Sequence, residues 1–434
     1  MKIAFISYEY PPDTAVGGIA TYVQQAAQML VQRGHQVEVF AGSDTQTSSQ
    51  LVDGIWVHRV QAPRSCFAGA IAPVFVERHG SIQFDVLEGP DCGADAAAAV
   101  RSVPDIPLVL KLHTPGYILA ALGKEPLSWP SKLRMAAGAI RRGKWLKRPA
   151  PYDPAADPER HHALTADEIA APSLAIAQRL IIDWGLAADR VSHVPYPYIP
   201  APALLAIPIE THTHTVTFVG RLERRKGVLD LAAAIPHVLR HHPQVRFRFV
   251  GPAWNSPHPQ MDMQQYLETK LAPYRQTLEF TGAVPLHQIP DHLTTDICVF
   301  PSIWESYGLV CVEAMAAGRG IVASAAGGMA ELLDQGQFGR LVPPQDPRQL
   351  AIAIIDLLDH PAERMRLGQA ARDRVLATYN LKRIGDLQEA SYRRAIAHRQ
   401  ALGPRPVSAN AQSMTTCGGV RPRWGRTPQE NNFV

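Results

Sequence analysis

Two glutamates, Glu305 and Glu313, carry the most chemistry in this 434-residue chain. They bracket seven residues in Pro301-Ser-Ile-Trp-Glu-Ser-Tyr-Gly-Leu-Val-Cys-Val-Glu313-Ala-Met-Ala-Ala-Gly318. The lead-in Asp296-Ile-Cys-Val-Phe-Pro301 is a short apolar run ended by proline and reads as a buried strand. From Gly308 onward, Leu309, Val312 and Ala316 fall at helical spacing. The pattern places Glu305 on a strand-to-helix loop and Glu313 about two turns into the helix. Free amides at such a helix start make an anion site, and a carboxylate beside it is suited to gripping hydroxyls. A sugar attached to a phosphate meets both demands. Taken alone, the same glutamates are also ordinary near a helix start, where a carboxylate offsets the dipole.

Other stretches add to this pair. Gly220-Arg-Leu-Glu-Arg-Arg-Lys-Gly227 joins a predicted strand to a helix, so Arg221 and Lys226 can set two cations against a diphosphate as it departs. A solvated basic turn is the plainer reading of that segment. Gly17 and Gly18 open the first long helix, with amides available to phosphate or simply forming a tight turn. His113 ends a predicted strand before Thr114-Pro-Gly-Tyr117 and faces the crevice, either as a working group or as a structural hydrogen-bonding residue. Ala326-Gly-Gly-Met-Ala-Glu331 reads as a capped helix start. Tyr8-Glu-Tyr-Pro-Pro-Asp13 stands where a dinucleotide enzyme carries Gly-x-Gly-x-x-Gly, which argues against that class. The histidine pairs 161–162 and 241–242 lack zinc spacing, and no aspartate-x-aspartate motif precedes the site. The expectation is a reaction without metal or cofactor.

These groups need a scaffold, and strands alternate with helices from the first residue. Lys2–Ser7, Gln36–Ala41, Ile55–Val60, Val86–Glu88, Leu108–His113 and Glu168–Ala171 read as strands; Gly18–Arg33, Asp95–Val103 and Ser173–Trp184 read as helices. Val194-Pro-Tyr-Pro-Tyr-Ile-Pro-Ala-Pro202 reads as a linker, after which a second alternating set begins at Thr215. The fold class is α/β: two Rossmann-like, doubly wound domains facing each other across a cleft. The expected domains are 1–200 and 201–380, with a helix over 381–400 packing back on the first and a disordered tail over 401–434. In such sheets ligands sit beyond the carboxyl ends of the strands. Glu9, Gly17, Gly18, His113, Arg221, Lys226 and Glu305 all fall there.

Bulk properties bound the partners. Composition is 46% hydrophobic and 19% charged, as in globular proteins, and a net charge of +4 is too small to argue for nucleic acid. Five scattered cysteines without a Cys-x-x-Cys pair fit a reducing compartment. Met1–Ser7 reads as a strand, not a signal peptide, and no apolar run approaches the roughly 20 residues of a membrane span. The expected location is cytoplasmic. Ser131–Arg148, with seven Lys or Arg and no acid among Leu133, Met135, Ile140, Trp145 and Leu146, adds an expectation of peripheral contact at the inner membrane face or with an anionic acceptor. A solvated loop with a basic face is the alternative.

Over about residues 1–400 these motifs together resemble the retaining glycosyltransferases of family 4, of GT-B fold. The resemblance rests on Tyr10-Pro-Pro with Gly17-Gly18, Ala170-Ala-Pro-Ser173, Val219-Gly-Arg-Leu with Lys226-Gly227, the stretch Pro301–Gly318, Gly327-Gly-Met-Ala-Glu331 and Leu341-Val-Pro-Pro-Gln-Asp346. It implies a nucleotide-diphospho-sugar donor, a UDP- or GDP-sugar, and a saccharide or lipid-linked acceptor. It also implies that Arg221 and Lys226 hold the diphosphate, that Glu305 with the backbone of Ser306, Tyr307, Gly308 and Leu309 holds the transferred sugar, and that Glu313 holds the ribose. Gly17, Gly18 and His113 would line the site from the first domain. Two departures stand out: Gly320 where relatives often carry proline, and Val194-Pro-Tyr-Pro-Tyr198 without the common Asn-Gly. A GT-B epimerase or hydrolase, and a non-catalytic sugar-nucleotide binding protein, share the same cleft features.

Overall fold

A computed structural model describes residues 1–14, 17–123 and 152–406 of the chain. The first half forms an eight-stranded sheet from β1 (Lys2–Ser7), β2 (Gln36–Ser43), β3 (Ser48–Val52), β4 (Ile55–Gln61), β5 (Val86–Pro90), β6 (Leu108–Lys111), β7 (Glu168–Ala171) and β8 (Val191–His193), in the order β3-β4-β2-β1-β5-β6-β7-β8. All its pairings are parallel except β3 with β4. The second half forms a parallel six-stranded sheet from β9 (Thr215–Val219), β10 (Arg246–Val250), β11 (Leu278–Gly282), β12 (Ile297–Phe300), β13 (Gly320–Ser324) and β14 (Arg340–Val342), in the order β11-β10-β9-β12-β13-β14. Strands buried on both faces are mostly apolar; β5, β6, β9, β12 and β13 are buried at every residue, with Glu88 and Lys111 as buried charged exceptions. The expected fold class of two parallel, doubly wound sheets holds.

Strand order reverses between β1 and β5 in one sheet and between β9 and β12 in the other. Such switch points open the crevice where α/β proteins bind ligands. Glu9 follows β1, Asp91 follows β5, Arg221 follows β9 and Glu305 follows β12.

The helix Leu381–Leu402 leaves the second half and packs on the first sheet at β5, β6 and β7. Its polar residues anchor it. Gln388 Nε2 donates to Glu88 Oε2 at 3.1 Å, Tyr392 Oη donates to the same atom at 2.8 Å, and Arg33 pairs with Asp386 and Glu389 at 2.6 Å each. Residues 401–406, placed in the tail by the sequence reading, belong to the described residues. The helix continues through Leu402, and Arg405 donates to Asp167 and to the carbonyls of Pro104 and Ile106. Residues 407–434 and the basic stretch 131–148 lie outside the described residues.

Several elements are absent from the sequence reading, three of them large or topologically distinct. β3 makes an antiparallel hairpin with β4, the helix Phe67–Ile82 crosses from β4 toward β5, and the helix Pro361–Thr378 precedes the crossover. In Phe67–Ile82 the buried Phe67, Ile71 and Phe75 recur every four residues, so packing on the sheet overrides the poor propensities of Gly69 and Pro73. Among the described residues, no helix is long and apolar enough to cross a membrane.

Candidate functional site

On the second sheet the loop after β9 and the loop after β12 are locked together. Gly227 takes φ +73°, and a Cβ there would lie 1.8 Å from the Pro301 carbonyl oxygen, so only glycine admits this approach. The Ile303 amide donates to Arg225 O at 2.8 Å. Gly327, at φ +64°, brings a third loop against Glu305, whose carbonyl accepts from Gly328 N at 2.8 Å.

These contacts set the side chains. Lys226 Nζ donates to Glu305 Oε2, and Arg225 Nη1 stands 3.5 Å from the same oxygen. Burial pushes the Glu305 carboxyl upward, but the Lys226 and Arg225 charges hold it below its ordinary value. Burial pulls the Lys226 ammonium down, opposed by Glu305. Arg221 lies apart from this pair. Its guanidinium stacks 4.5 Å over the Trp254 ring and sits 3.2 Å from Glu223. Backbone bonds from Leu222 N to Pro252 O (2.8 Å) and from Trp254 N to Leu222 O (3.1 Å) fix that stacking. Cation–π contact at a half-exposed site is worth about 0.5–1 kcal/mol. Trp254→Ala is accordingly expected to lower kcat/KM about two- to fivefold through a freed Arg221, with Trp254→Tyr restoring most of it. Steady-state kinetics on both variants measure this, and equal losses in both would break the link between stacking and Arg221.

The helix Leu309–Ala316 begins at Gly308, φ +107°, without a side-chain cap. Its first amides are therefore offered to a ligand, as the residue pattern requires. Glu313 lies one turn into this helix, not two, and burial lifts its carboxyl to about 7. Of the remaining segment, the Tyr307 ring is buried between Tyr196 and Tyr379, leaving only its backbone for a ligand.

The first half faces this cluster with groups that lack partners. Among the described residues, Glu9 Oε2, Asp91 Oδ2 and His113 Nε2 are buried without a hydrogen bond. Buried polar atoms are seldom left so; Glu9 and Asp91 follow β1 and β5, which flank the switch point, and His113 follows the next strand, β6. His113 follows β6 by two residues, not at its end. Its amide donates to Asp91 Oδ1 at 2.9 Å, and its Nδ1 lies 2.5 Å from Tyr196 Oη. Burial, then the Lys111 charge, holds the imidazole neutral with its pKa down at about 3. Burial, with the Glu159 charge, lifts Asp91 to about 8, and burial likewise raises Glu9. Gly17 lies beside Glu9: a Cβ on it would come 3.4 Å from Oε2, and one on Gly18 would come 3.5 Å from Leu309 Cδ1 across the cleft.

Two direct bonds close the cleft near the linker. Thr114 Oγ1 donates to Ser306 Oγ at 2.9 Å, and Ser173 Oγ donates to Ser306 O at 2.6 Å. Glu331 does not cap its own helix. Its carboxylate reaches into the other half and accepts from Leu174 N at 2.8 Å and Ala175 N at 2.7 Å, capping the helix Leu174–Trp184. Such a cap is worth about 0.5–2 kcal/mol.

The structure brings Lys226 and Glu305 into contact, with the Arg221 charge near by. It sets Ser306 against Thr114 and Ser173, and Leu309 opposite Gly18 with Gly308 opening its helix. It leaves Gly17 beside Glu9, and His113 beside Asp91 and Tyr196. Among the described contacts none joins Glu313 to the Lys226–Glu305 pair. Sequence reasoning missed Arg225, Asp91, Tyr196 and Trp254. Arg225 was visible only as one of four cations in a basic turn. Asp91 lies three residues beyond the predicted strand Val86–Glu88, and that position past a strand end was its available signal. Among the described residues no group of three or more His, Cys, Asp or Glu could hold a metal.

Comparison with known proteins bears on the family and the fold. Residues 16–199 match the profile described as Glycosyltransferase Family 4, and residues 213–360 the profile described as Glycosyl transferases group 1. The chain is 27% identical over 441 residues to the glycogen synthase of Mycobacterium tuberculosis (strain ATCC 25618 / H37Rv), spanning 94% of this chain and 97% of that protein. It superposes on the sucrose-phosphate synthase of Thermosynechococcus elongatus with a TM-score of 0.68 at 22% identity, covering 92% of this chain and 100% of that one. Anabaena Alr3699/HepE, solved in complex with UDP-glucose, gives a TM-score of 0.61 at 19% identity over 90% of this chain and 99% of that one.

Proposed function

We propose that this chain, which belongs to the glycosyltransferases of family 4 and group 1, moves a hexose from a nucleotide-diphospho-sugar to a saccharide or lipid-linked acceptor with retention at the anomeric carbon. One observation carries the reading: a clamped Lys226–Glu305 pair and a helix start without a side-chain cap face three buried polar atoms that lack a hydrogen bond, Glu9 Oε2, Asp91 Oδ2 and His113 Nε2. In this reading Arg221 and Lys226 bind the diphosphate and offset its charge as the glycosidic bond breaks. Such preorganised charge is worth several kcal/mol at a transition state, typically about 3–4 for one donor. Glu305 and the backbone of Ser306–Leu309 bind the sugar hydroxyls, Glu313 the ribose, and His113 Nε2 a hydroxyl from the other wall. The acceptor attacks on the face the diphosphate leaves, and a phosphate oxygen of the departing group takes its proton. A UDP- or GDP-sugar is the proposed donor class; the UDP-glucose held by the Anabaena structure is in keeping with it.

One feature favours a second reading. Two carboxyls, Glu9 and Asp91, stand on the acceptor wall, where a hydrolase or epimerase would keep its acid or base. With Asp91 lifted to about 8 it is protonated at neutral pH and donates a hydrogen bond instead of abstracting a proton, which suits orientation of an acceptor. Incubation with UDP-glucose, UDP-galactose, GDP-mannose and ADP-glucose, with and without acceptors, distinguishes the outcomes. Nucleotide release is expected only with an acceptor, and the new bond should keep the donor's anomeric configuration by proton NMR. Equal release without acceptor would establish hydrolysis, and binding without release a non-catalytic protein.

A further inference from the structure

Away from the cleft, the amino ends of β2 and β4 carry a second feature of the chain with the composition of a ligand site. Ser49, Trp56, His58, Val74, Glu77 and Arg78 line a cavity of about 200 Å³ between the β3–β4 hairpin and the helix Phe67–Ile82. Its floor is an aromatic pile. His58 stacks on Phe40 at 4.9 Å and 26°, and Trp56 lies parallel to His58, 8° between planes at 6.1 Å. The pile runs from the core to the surface, where Trp56 is 40% exposed.

The pile is rigid because its polar edge is satisfied. His58 Nε2 lies 3.0 Å from the fully buried Glu38 carboxylate, which Arg78 grips through Nε at 3.1 Å and Nη2 at 2.7 Å. Burial pushes Glu38 upward, but the His58 and Arg78 hydrogen bonds hold it below its ordinary value, so it accepts from Nε2–H. Ser49 Oγ then donates to Nδ1 across 2.9 Å and keeps its lone pairs for the cavity. Trp56, which serves no hydrogen bond in this network, is left as a preorganised flat surface.

We infer that this cavity binds one sugar ring of a carbohydrate chain, with the ring's C–H face on Trp56 and its hydroxyls between Glu77, Arg78 and Ser49. The inference rests on the reading of the protein as a transferase with a saccharide acceptor. An apolar platform with both an acceptor carboxylate and a donor guanidinium at its rim matches vicinal hydroxyls. It does not match an anion, because Glu38 offsets the Arg78 charge through Nε and Nη2, leaving Nη1 to donate, and Glu77 adds negative charge. Nor does it match an aliphatic chain, since three of its six lining side chains are Glu, Arg and Ser. Because Glu38 and Trp56 start their strands while Glu9 and His113 lie beyond strand ends, the cavity is separate from the cleft. A polymeric acceptor anchored there presents its ends to the cleft at raised effective concentration.

Native gels cast with glycogen or with α-mannan test the site without turnover. The full chain should be retarded in at least one polysaccharide gel relative to a plain gel. Trp56→Ala should lose that retardation, since an aromatic face is worth about tenfold in affinity, while Trp56→Phe keeps most of it. Glu77→Ala, an exposed helix position that leaves the fold alone, should weaken it independently. In activity assays Trp56→Ala should raise KM for the polymer about tenfold with kcat and donor KM unchanged. Equal mobility of the full chain in all gels would overturn the inference. So would retardation that survives Trp56→Ala, which would put the polymer in the cleft. Retardation dependent on Trp56 without sugar transfer from any donor would instead leave the site standing and remove the transferase reading.

Discussion

Lys226→Ala is expected to lower turnover by about two orders of magnitude or more, the largest loss any single side-chain truncation in the cleft should cause. Lys226, part-buried, and Glu305, buried, pair at the junction of two strand-end loops. Removing one partner of such a pair is costlier than the pair is stabilising, because the survivor stays buried and uncompensated. Arg225, 3.5 Å from Glu305, keeps part of the field, so the variant should fold. What it lacks is the ammonium beside the uncapped helix start, where charge develops on the leaving diphosphate. Arginine should not rescue, since the fork is larger than the space Lys226 fills and Arg225 already occupies the adjoining position. Titration calorimetry with the free nucleoside diphosphate should show a smaller loss than turnover does, because the charge to be stabilised grows toward the transition state. Near-normal turnover in Lys226→Ala would remove Lys226 from the mechanism.

The main chain of this site was legible because the signals were local. An apolar run ending in proline, a glycine that opens a helix, and two glutamates at fixed offsets mark β12 and the helix Leu309–Ala316 without reference to the rest of the fold. The alternation of strand and helix placed Glu9, Arg221 and Glu305 beyond strand ends in the same way, while the strand order that makes the switch points was not in it. The contacts that join the halves were not legible, since they pair residues far apart in sequence. Glu331 in a first turn reads as a cap for its own helix. Only the approach of Gly327 and Gly328 to the Glu305 and Ser306 carbonyls turns it toward Leu174. Tyr196 in a proline-rich linker carries no sign that it will hold His113, and Trp254 carries none that it will stack on Arg221. The helix Phe67–Ile82 had a visible four-residue period, but Gly69 and Pro73 concealed it. The hairpin β3–β4 was hidden for a different reason: β3 is an edge strand whose residues are mostly exposed, so it lacks the alternation that marks a half-buried one.

Gly227 shows how backbone sterics and catalysis meet at one residue. Its φ of +73° would already cost a side chain roughly 1–3 kcal/mol. The added Cβ would also fall 1.8 Å from Pro301 O and 3.1 Å from Pro301 Cβ, and neither atom belongs to a flexible side chain. Pro301 directly follows β12, which is paired with β9 and β13, so it cannot yield alone. The turn that carries Lys226 must therefore move away from the loop that carries Glu305. Gly227→Ala is expected to destabilise the protein by roughly 2–4 kcal/mol and, in the fraction that remains folded, to abolish turnover about as fully as Lys226→Ala, although Lys226 is intact. Thermal unfolding followed by circular dichroism gives the first number, and turnover measured well below the midpoint gives the second. A midpoint within about two degrees of the parent together with parental turnover would mean that the close approach of the two loops does not set the Lys226–Glu305 geometry.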